Sequence, residues 1–191
     1  MDLLLSAFPP ELGDLLETPP PGWMAACTGI GPLAAALETS RLLALHGPGR
    51  VLFLGTCGAY DGRLQVGEFL AVVEVLDRTL AEARDEAYRP ALQESRWMAD
   101  YLPPFAPHTV LAPPTITLSP EGARQLAAFG AAENLELGGV FAACKVRGVP
   151  VGAALAVANR VGPESHGEWA AHHSAASAGL RKVLRENGFL G

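Results

Sequence analysis

The chain has 191 residues, 49% apolar and 18% charged, with a formal net charge of -6 at pH 7. That length fits one domain, residues 1–191, and the apolar fraction implies a generous core or a subunit interface, so a homo-oligomer is expected. An acidic chain without clustered Lys and Arg excludes a surface built to neutralise a phosphate backbone, and nucleic acid is not an expected partner.

Residues 3–7 form an apolar run that predicts a buried strand, closed by Pro9-Pro10 before a helix from Glu11 to about residue 16. Asp2 stands where a signal peptide would carry bases, and the apolar run is too short for one. After Pro19-Pro20-Pro21-Gly22, residues 23–27 predict a second strand, Thr28-Gly29-Ile30-Gly31 a tight turn, and the Ala/Leu-rich segment to about residue 45 a helix. Glycine and proline interrupt each apolar stretch, so no membrane span is expected. Residues 51–55 form a continuous apolar run suited to a central parallel strand covered on both faces, ending in Thr56-Cys57-Gly58-Ala59. Residues 64–75 predict a further strand, and residues 79–98 an exposed helix or an irregular excursion. A brief strand at 110–111 follows, then a helix from Ser119-Pro120-Glu121 to about residue 129. Residues 137–146 predict a buried helix, 151–157 a last core strand, and 169–187 a closing helix ended by Gly188. Repeated strand-turn-helix units imply an α/β fold of three layers, a mainly parallel mixed sheet with helices on both faces. In such sheets ligands gather at the carboxyl ends of the strands.

Cys27, Cys57 and Cys144 show neither metal-site spacing nor a disulfide framework, which predicts reduced thiols in a cytoplasmic protein. His172 and His173, adjacent on a helix, diverge by about 100° and do not share an ion readily, so no metal is expected. Gly29-x-Gly31-x-x-Ala34 fits a dinucleotide-binding turn, but the next strand ends in Gly55-Thr56-Cys57-Gly58 where an acid should hold a ribose. A close-packed turn is the preferred reading, and no cofactor is expected. The Gly55–Gly58 turn offers a hydroxyl and backbone N–H groups for a sugar, an anion or a water. Glu136, between Leu135 and Leu137, must either reach solvent or meet donors such as a pair of ribose hydroxyls. Asn159 reads as a turn residue or a ligand contact.

Taken in chain order, these residues resemble the nucleoside phosphorylase superfamily, especially its methylthioadenosine/S-adenosylhomocysteine nucleosidase and futalosine hydrolase branches. Thr28-Gly29-Ile30-Gly31-Pro32-Leu33-Ala34-Ala35-Ala36 is similar to the family's Gly-Ile-Gly turn and helix. Gly55-Thr56-Cys57-Gly58 with Leu64-Gln65-Val66-Gly67-Glu68 resembles its Gly-Ser-x-Gly loop and continuation, and Leu135-Glu136 its Met-Glu pair. Asn159-Arg160-Val161-Gly162-Pro163, with Trp169 beyond, looks most like the futalosine hydrolase form of the last loop. The resemblance implies hydrolysis of a nucleoside N-glycosidic bond in a homodimer, with a futalosine-like substrate and a link to menaquinone biosynthesis. It implies Glu11 as general base, Glu136 on the ribose hydroxyls, and Asn159 on the base. Thr56, Cys57, Gly58, Thr115, Ile116, Leu135, Ala158 and Trp169 would form the rest of the pocket, the base lying between Thr115-Ile116 and Ala158-Asn159. An Asn in place of the adenine-specific Asp donates to purine N7 and to a 6-oxo oxygen, favouring a 6-oxopurine. Phe53 occupies the place of a phosphate-binding Arg, which favours water over phosphate as acceptor. Asn134 replaces a Glu of the nucleosidases, and Leu155 replaces an Arg usual near the attacking water. A phosphorylase and a nucleoside-binding protein without turnover are the alternatives.

Overall fold

In the computed structural model, which describes residues 1–190, the apolar runs of the first third become β1 (Asp2–Ser6), β2 (Trp23–Cys27) and β3 (Val51–Ala59). Between them lie α1 (Pro9–Leu12), followed by a 3-10 turn over Gly13–Leu16, and α2 (Pro32–His46). The middle of the chain holds β4 (Phe69–Leu76), the four-residue α3 (Leu80–Ala83), β5 (Arg96–Met98), β6 (Pro107–Leu111) and α4 (Pro120–Leu126). The last third comprises β7 (Ala132–Glu133), α5 (Leu137–Arg147), β8 (Val151–Arg160) and α6 (Ser165–Glu186).

The eight strands form one mixed sheet, ordered β2-β1-β3-β7-β6-β4-β5, with β8 pairing both β3 and β4. The pairings β3-β8, β8-β4, β4-β6, β6-β7 and β7-β3 return to their start, so these five strands close a ring whose mouth lies at the carboxyl end of β3. Alternation along the strands supplies both faces of the core. Leu3, Leu5, Val51 and Phe53 pack towards α2 and α5 through Ala35, Leu42, Val140 and Phe141. Leu4, Leu52, Leu54, Ala154 and Ala156 pack towards α1 and α6 through Leu12, Ala176, Leu180 and Leu184. The α/β fold with helices on both faces is therefore present.

Several boundaries differ from the sequence expectation. The first helix yields to a 3-10 turn because Gly13 takes φ 52, outside the helical region. The strand expected from residue 64 starts at Phe69; a turn precedes it, with Gly67 at φ 93 donating its N–H to Val157 O. Within residues 79–98 only α3 is helical, started by a capping box between Thr79 and Glu82, and β5 forms an edge strand. The last strand runs to Arg160, which puts Asn159 in the sheet rather than in a turn, and α6 begins at Ser165. α2 and α5 approach so closely that a Cβ on Gly139 would stand 2.8 Å from the Ala36 nitrogen. No helix among the described residues is long and apolar enough to cross a membrane, and the three cysteines are free.

Candidate active site

A cavity of about 240 Å³ opens where β1, β3, β7 and β8 end. Its deepest polar group belongs to Glu11, which α1 carries immediately after the Pro9-Pro10 turn and buries to 3% exposure. Three donors hold that carboxylate: Thr56 N–H at 2.8 Å and the Thr56 hydroxyl at 2.9 Å on Oε1, and Ala7 N–H at 3.1 Å on Oε2. Burial pushes its pKa up to about 7, against the lowering effect of the Thr56 bonds and helped by the nearby Glu136. A carboxyl group poised there is suited to accept a proton at neutral pH.

Glu136 precedes α5 and lines the same cavity, also buried; its Oε1 accepts the Gly31 N–H at 2.8 Å. Gly31 sits at φ 91 at the start of α2, so the amide that a dinucleotide phosphate would use is engaged by a carboxylate of the chain itself. Burial raises the Glu136 pKa, and the Gly31 bond opposes that rise. Of the two outcomes expected for Glu136, reaching solvent or meeting donors, the second forms. Asn134 braces the junction: its Nδ2 donates to Thr56 O, while its Oδ1 accepts the N–H groups of Glu136 and Leu137 just ahead of α5. That role is structural as well as local to the cavity, and the sequence alone did not suggest it.

Asn159 faces the cavity across Gly58, where an added Cβ would lie 2.8 Å from its Nδ2. One amide hydrogen of Asn159 goes to Arg160 O at 3.0 Å, leaving the other available. The Trp169 ring closes the opposite wall, stacked on His173 at 4.3 Å and 13°, with Phe8 at 5.8 Å, while its Nε1 donates to Thr56 Oγ1 at 3.2 Å. Cys57, Ile116 and Leu135 also line the cavity, as does His166. Thr115 and Ala158 do not: Thr115 is exposed, and Ala158 turns away to pack with Leu4 and Leu54 because its neighbour Asn159 takes the cavity side of β8. Phe53 and Leu155 are buried in the core cluster beside Gly55, away from the cavity wall.

One carboxylate escaped the sequence expectation. Glu133, on the two-residue β7, is 6% exposed, lines the cavity and accepts the Tyr60 hydroxyl at 2.9 Å and the Thr117 N–H at 3.1 Å. The signal present in sequence was an acid flanked by Ala132 and Asn134, three residues before Glu136. Burial raises its pKa. Among the described residues no Lys or Arg lines the cavity, and no cluster of three His, Cys, Asp or Glu side chains is placed to hold a metal.

Comparison with known proteins gives the arrangement a context. Residues 23–186 match the family model described as the phosphorylase superfamily. A 5'-methylthioadenosine/S-adenosylhomocysteine nucleosidase from Psychromonas ingrahamii is 44% identical over 48 residues, which span 25% of this chain and only 21% of that protein. The futalosine hydrolase of Helicobacter pylori superposes with a TM-score of 0.83 at 16% identity, over 96% of this chain and 95% of that chain. The adenine complex of a Colwellia psychrerythraea nucleosidase for the same two methylthio and homocysteine substrates gives 0.81 at 20% identity, over 99% and 95%. At these identities the superpositions carry the fold alone.

Proposed function

The chain belongs to the phosphorylase superfamily, and we propose that it is an N-glycosyl hydrolase that releases the free base, a 6-oxopurine, from a purine nucleoside. The observation that carries this reading is Glu11: a buried carboxyl group with pKa about 7, fixed by three donors, in one cavity with Glu136 and Asn159.

In this mechanism Glu136 takes the 2′- and 3′-hydroxyls of the ribose through the oxygen not engaged by Gly31. The base lies over Gly58, and the free amide hydrogen of Asn159 meets the charge that develops on it as the C1′–N9 bond breaks. The bonding pair leaves with the base, the ribosyl group becomes oxocarbenium-like, and a water held by Glu11 and Thr56 attacks C1′ while Glu11 receives its proton. Trp169, with Phe8 and Leu135, covers the sugar and excludes bulk water. The cavity wall free of Lys and Arg supports water over phosphate as acceptor. The same reading includes a cytoplasmic protein without cofactor and a homodimer; the exposed Ile30, Leu33 and Leu37, before and within the first turns of α2, support the homodimer alone.

The test is base release from inosine and from futalosine-type nucleosides, with and without phosphate. Wild-type protein should release hypoxanthine in phosphate-free buffer, and Asn159→Ala should lower kcat by about 10- to 100-fold. Release that requires phosphate makes the protein a phosphorylase; nucleoside binding without release makes it a binding protein; full turnover by Asn159→Ala removes Asn159 from the mechanism.

A further inference from the structure

The main chain that carries Glu11 is held from outside the cavity. α1 has four residues and opens on Pro9-Pro10, which have no N–H to give, so it supplies little hydrogen bonding of its own. The chain leaves it at Gly13, with φ 52. Beside that exit α6 inserts Arg181, whose Nη1 donates to Glu11 O at 2.8 Å and to Pro10 O at 3.2 Å. Gly13 makes the approach possible, because a Cβ there would stand 2.5 Å from Arg181 Nη2 and 2.7 Å from its Cζ. The Arg181 side chain is 13% exposed, and its ion pair with Asp14, from Nε to Oδ1, is long at 3.6 Å. Burial pulls its pKa down, with Asp14 opposing the fall and Arg185 adding to it. Setting a cation there costs solvation, which the two carbonyl bonds offset.

α6 therefore meets Glu11 from two sides. Near its start Trp169 donates to the Thr56 hydroxyl, which donates to Glu11 Oε1; about three turns further on, Arg181 holds the Glu11 carbonyl. The carboxylate is fixed to the sheet through Ala7 and Thr56, while the main chain of the same residue is fixed to α6, so the span between the two anchors sets where Oε1 lies. Placement of this kind matters for a proton acceptor, because a shift of about 1 Å at a reacting group can cost about 100-fold in rate. We propose that Arg181 is a positioning residue for the reaction: it anchors the main chain of Glu11 so that the carboxylate stays on Thr56 and aimed at the attacking water. This rests on the hydrolase reading above, in which Glu11 is the base, and adds to it a residue outside the cavity. Arg181 also joins α1 to α6, as Arg185 joins α6 to Asp14, so its test must separate positioning from bracing.

Steady-state base release from inosine across pH does so. Arg181→Met keeps the apolar stem and removes both carbonyl bonds; kcat should fall about 10-fold while the nucleoside KM stays within about twofold of wild type. The midpoint of the pH profile should also move upward. Both the Thr56 bonds and a nearby cation favour the ionised carboxylate, and the variant weakens the first and deletes the second. Arg181→Lys retains the charge and one donor, and should recover kcat to within about threefold of wild type with a midpoint between the two. Asp14→Asn cuts the pairs with Arg185 and Arg181 but leaves the carbonyl bonds, and should match wild type in kcat and midpoint. Wild-type kcat and midpoint in folded Arg181→Met overturn the proposal; if that variant does not fold, the same result in Arg181→Lys overturns it. A loss shared between kcat and KM at an unmoved midpoint, or a matching loss in Asp14→Asn, shows bracing alone and overturns it too. A wild-type protein that releases no base, or a Glu11→Gln protein with full turnover, removes the base itself and overturns the hydrolase reading and the role of Arg181 together.

Discussion

The two ends of the cavity are built by different means. At the end proposed to take the sugar and the water, the carboxylates of Glu11 and Glu136 are held largely by main-chain N–H groups, from Ala7, Thr56 and Gly31. At the end proposed to take the base, Glu133 accepts from the Tyr60 hydroxyl and from the main-chain N–H of Thr117, and Asn159 donates to its own neighbour's carbonyl. Main-chain donors persist through substitution, so the chemistry is templated by the fold. At the other end the Tyr60 hydroxyl is a side-chain donor that one substitution removes, while the Thr117 N–H and the Arg160 carbonyl are main chain.

This contrast predicts unequal responses. The largest belongs to Glu11→Gln, which keeps the shape of the side chain but loses the basic oxygen; base release should fall by roughly 10³-fold with nucleoside affinity nearly retained. The sign of the wild-type pH dependence follows from the raised pKa. Glu11 must be ionised to take a proton, so kcat/KM should climb as pH rises through about 7 and level off above it. A flat profile from pH 5 to 9 would remove Glu11 as the base.

An intermediate effect is expected for Gly58→Ala at the base end. Its Cβ would come to 2.8 Å from Asn159 Nδ2 and 3.0 Å from Val161 Cγ2, so the amide must swing aside. We expect about a 10-fold rise in KM for the nucleoside and a stability loss of about 1–3 kcal/mol, seen in steady-state kinetics and denaturant unfolding. An unchanged KM would show that no base lies over Gly58.

The smallest effect falls on Trp169→Phe, which keeps an aromatic ring in the wall but deletes the N–H bound to Thr56 together with part of the indole surface stacked on His173. That bond polarises the Thr56 hydroxyl towards Glu11; without it the carboxylate is less well solvated and its pKa rises further. Turnover near neutral pH should drop by about 3-fold and the pH midpoint should move upward. Equal loss at every pH would assign Trp169 to packing alone.

How much was legible in the sequence follows the same divide. The runs that became β1, β2, β3 and β8 were readable because strands covered on both faces demand continuous apolar sequence, and α2 and α5 because Gly47 and Gly148 end them in left-handed conformation. The Gly31 turn and the Gly55–Gly58 segment, which is the end of β3 rather than the turn expected, marked the end proposed to take the sugar. The base end was harder to read. β7 has two residues and no pattern of its own, and it exists because Gly58, Ala59, Val110 and Leu111 offer partners distant in sequence. Glu133 therefore looked like part of a loop. Ala158 and Asn159 were expected to line the pocket together, yet adjacent residues on a strand face opposite sides, a constraint that was available once β8 was extended past residue 157. Residues 79–98 lacked periodicity because they pack at the sheet edge through ion pairs such as Arg89 with Asp77 and Glu82 rather than through an apolar face.

Gly139 touches nothing in the cavity, but it lets α5 lie backbone against backbone on the first turns of α2. One helix carries the carboxylate of Glu136 at its start, and the other carries the Gly31 amide that holds it. The contact thus acts as a dowel between two parts that must be machined to the same tolerance. For anyone redesigning this protein, the helix pair is a fixed jig, while the ends of β7 and β8 are the replaceable fitting.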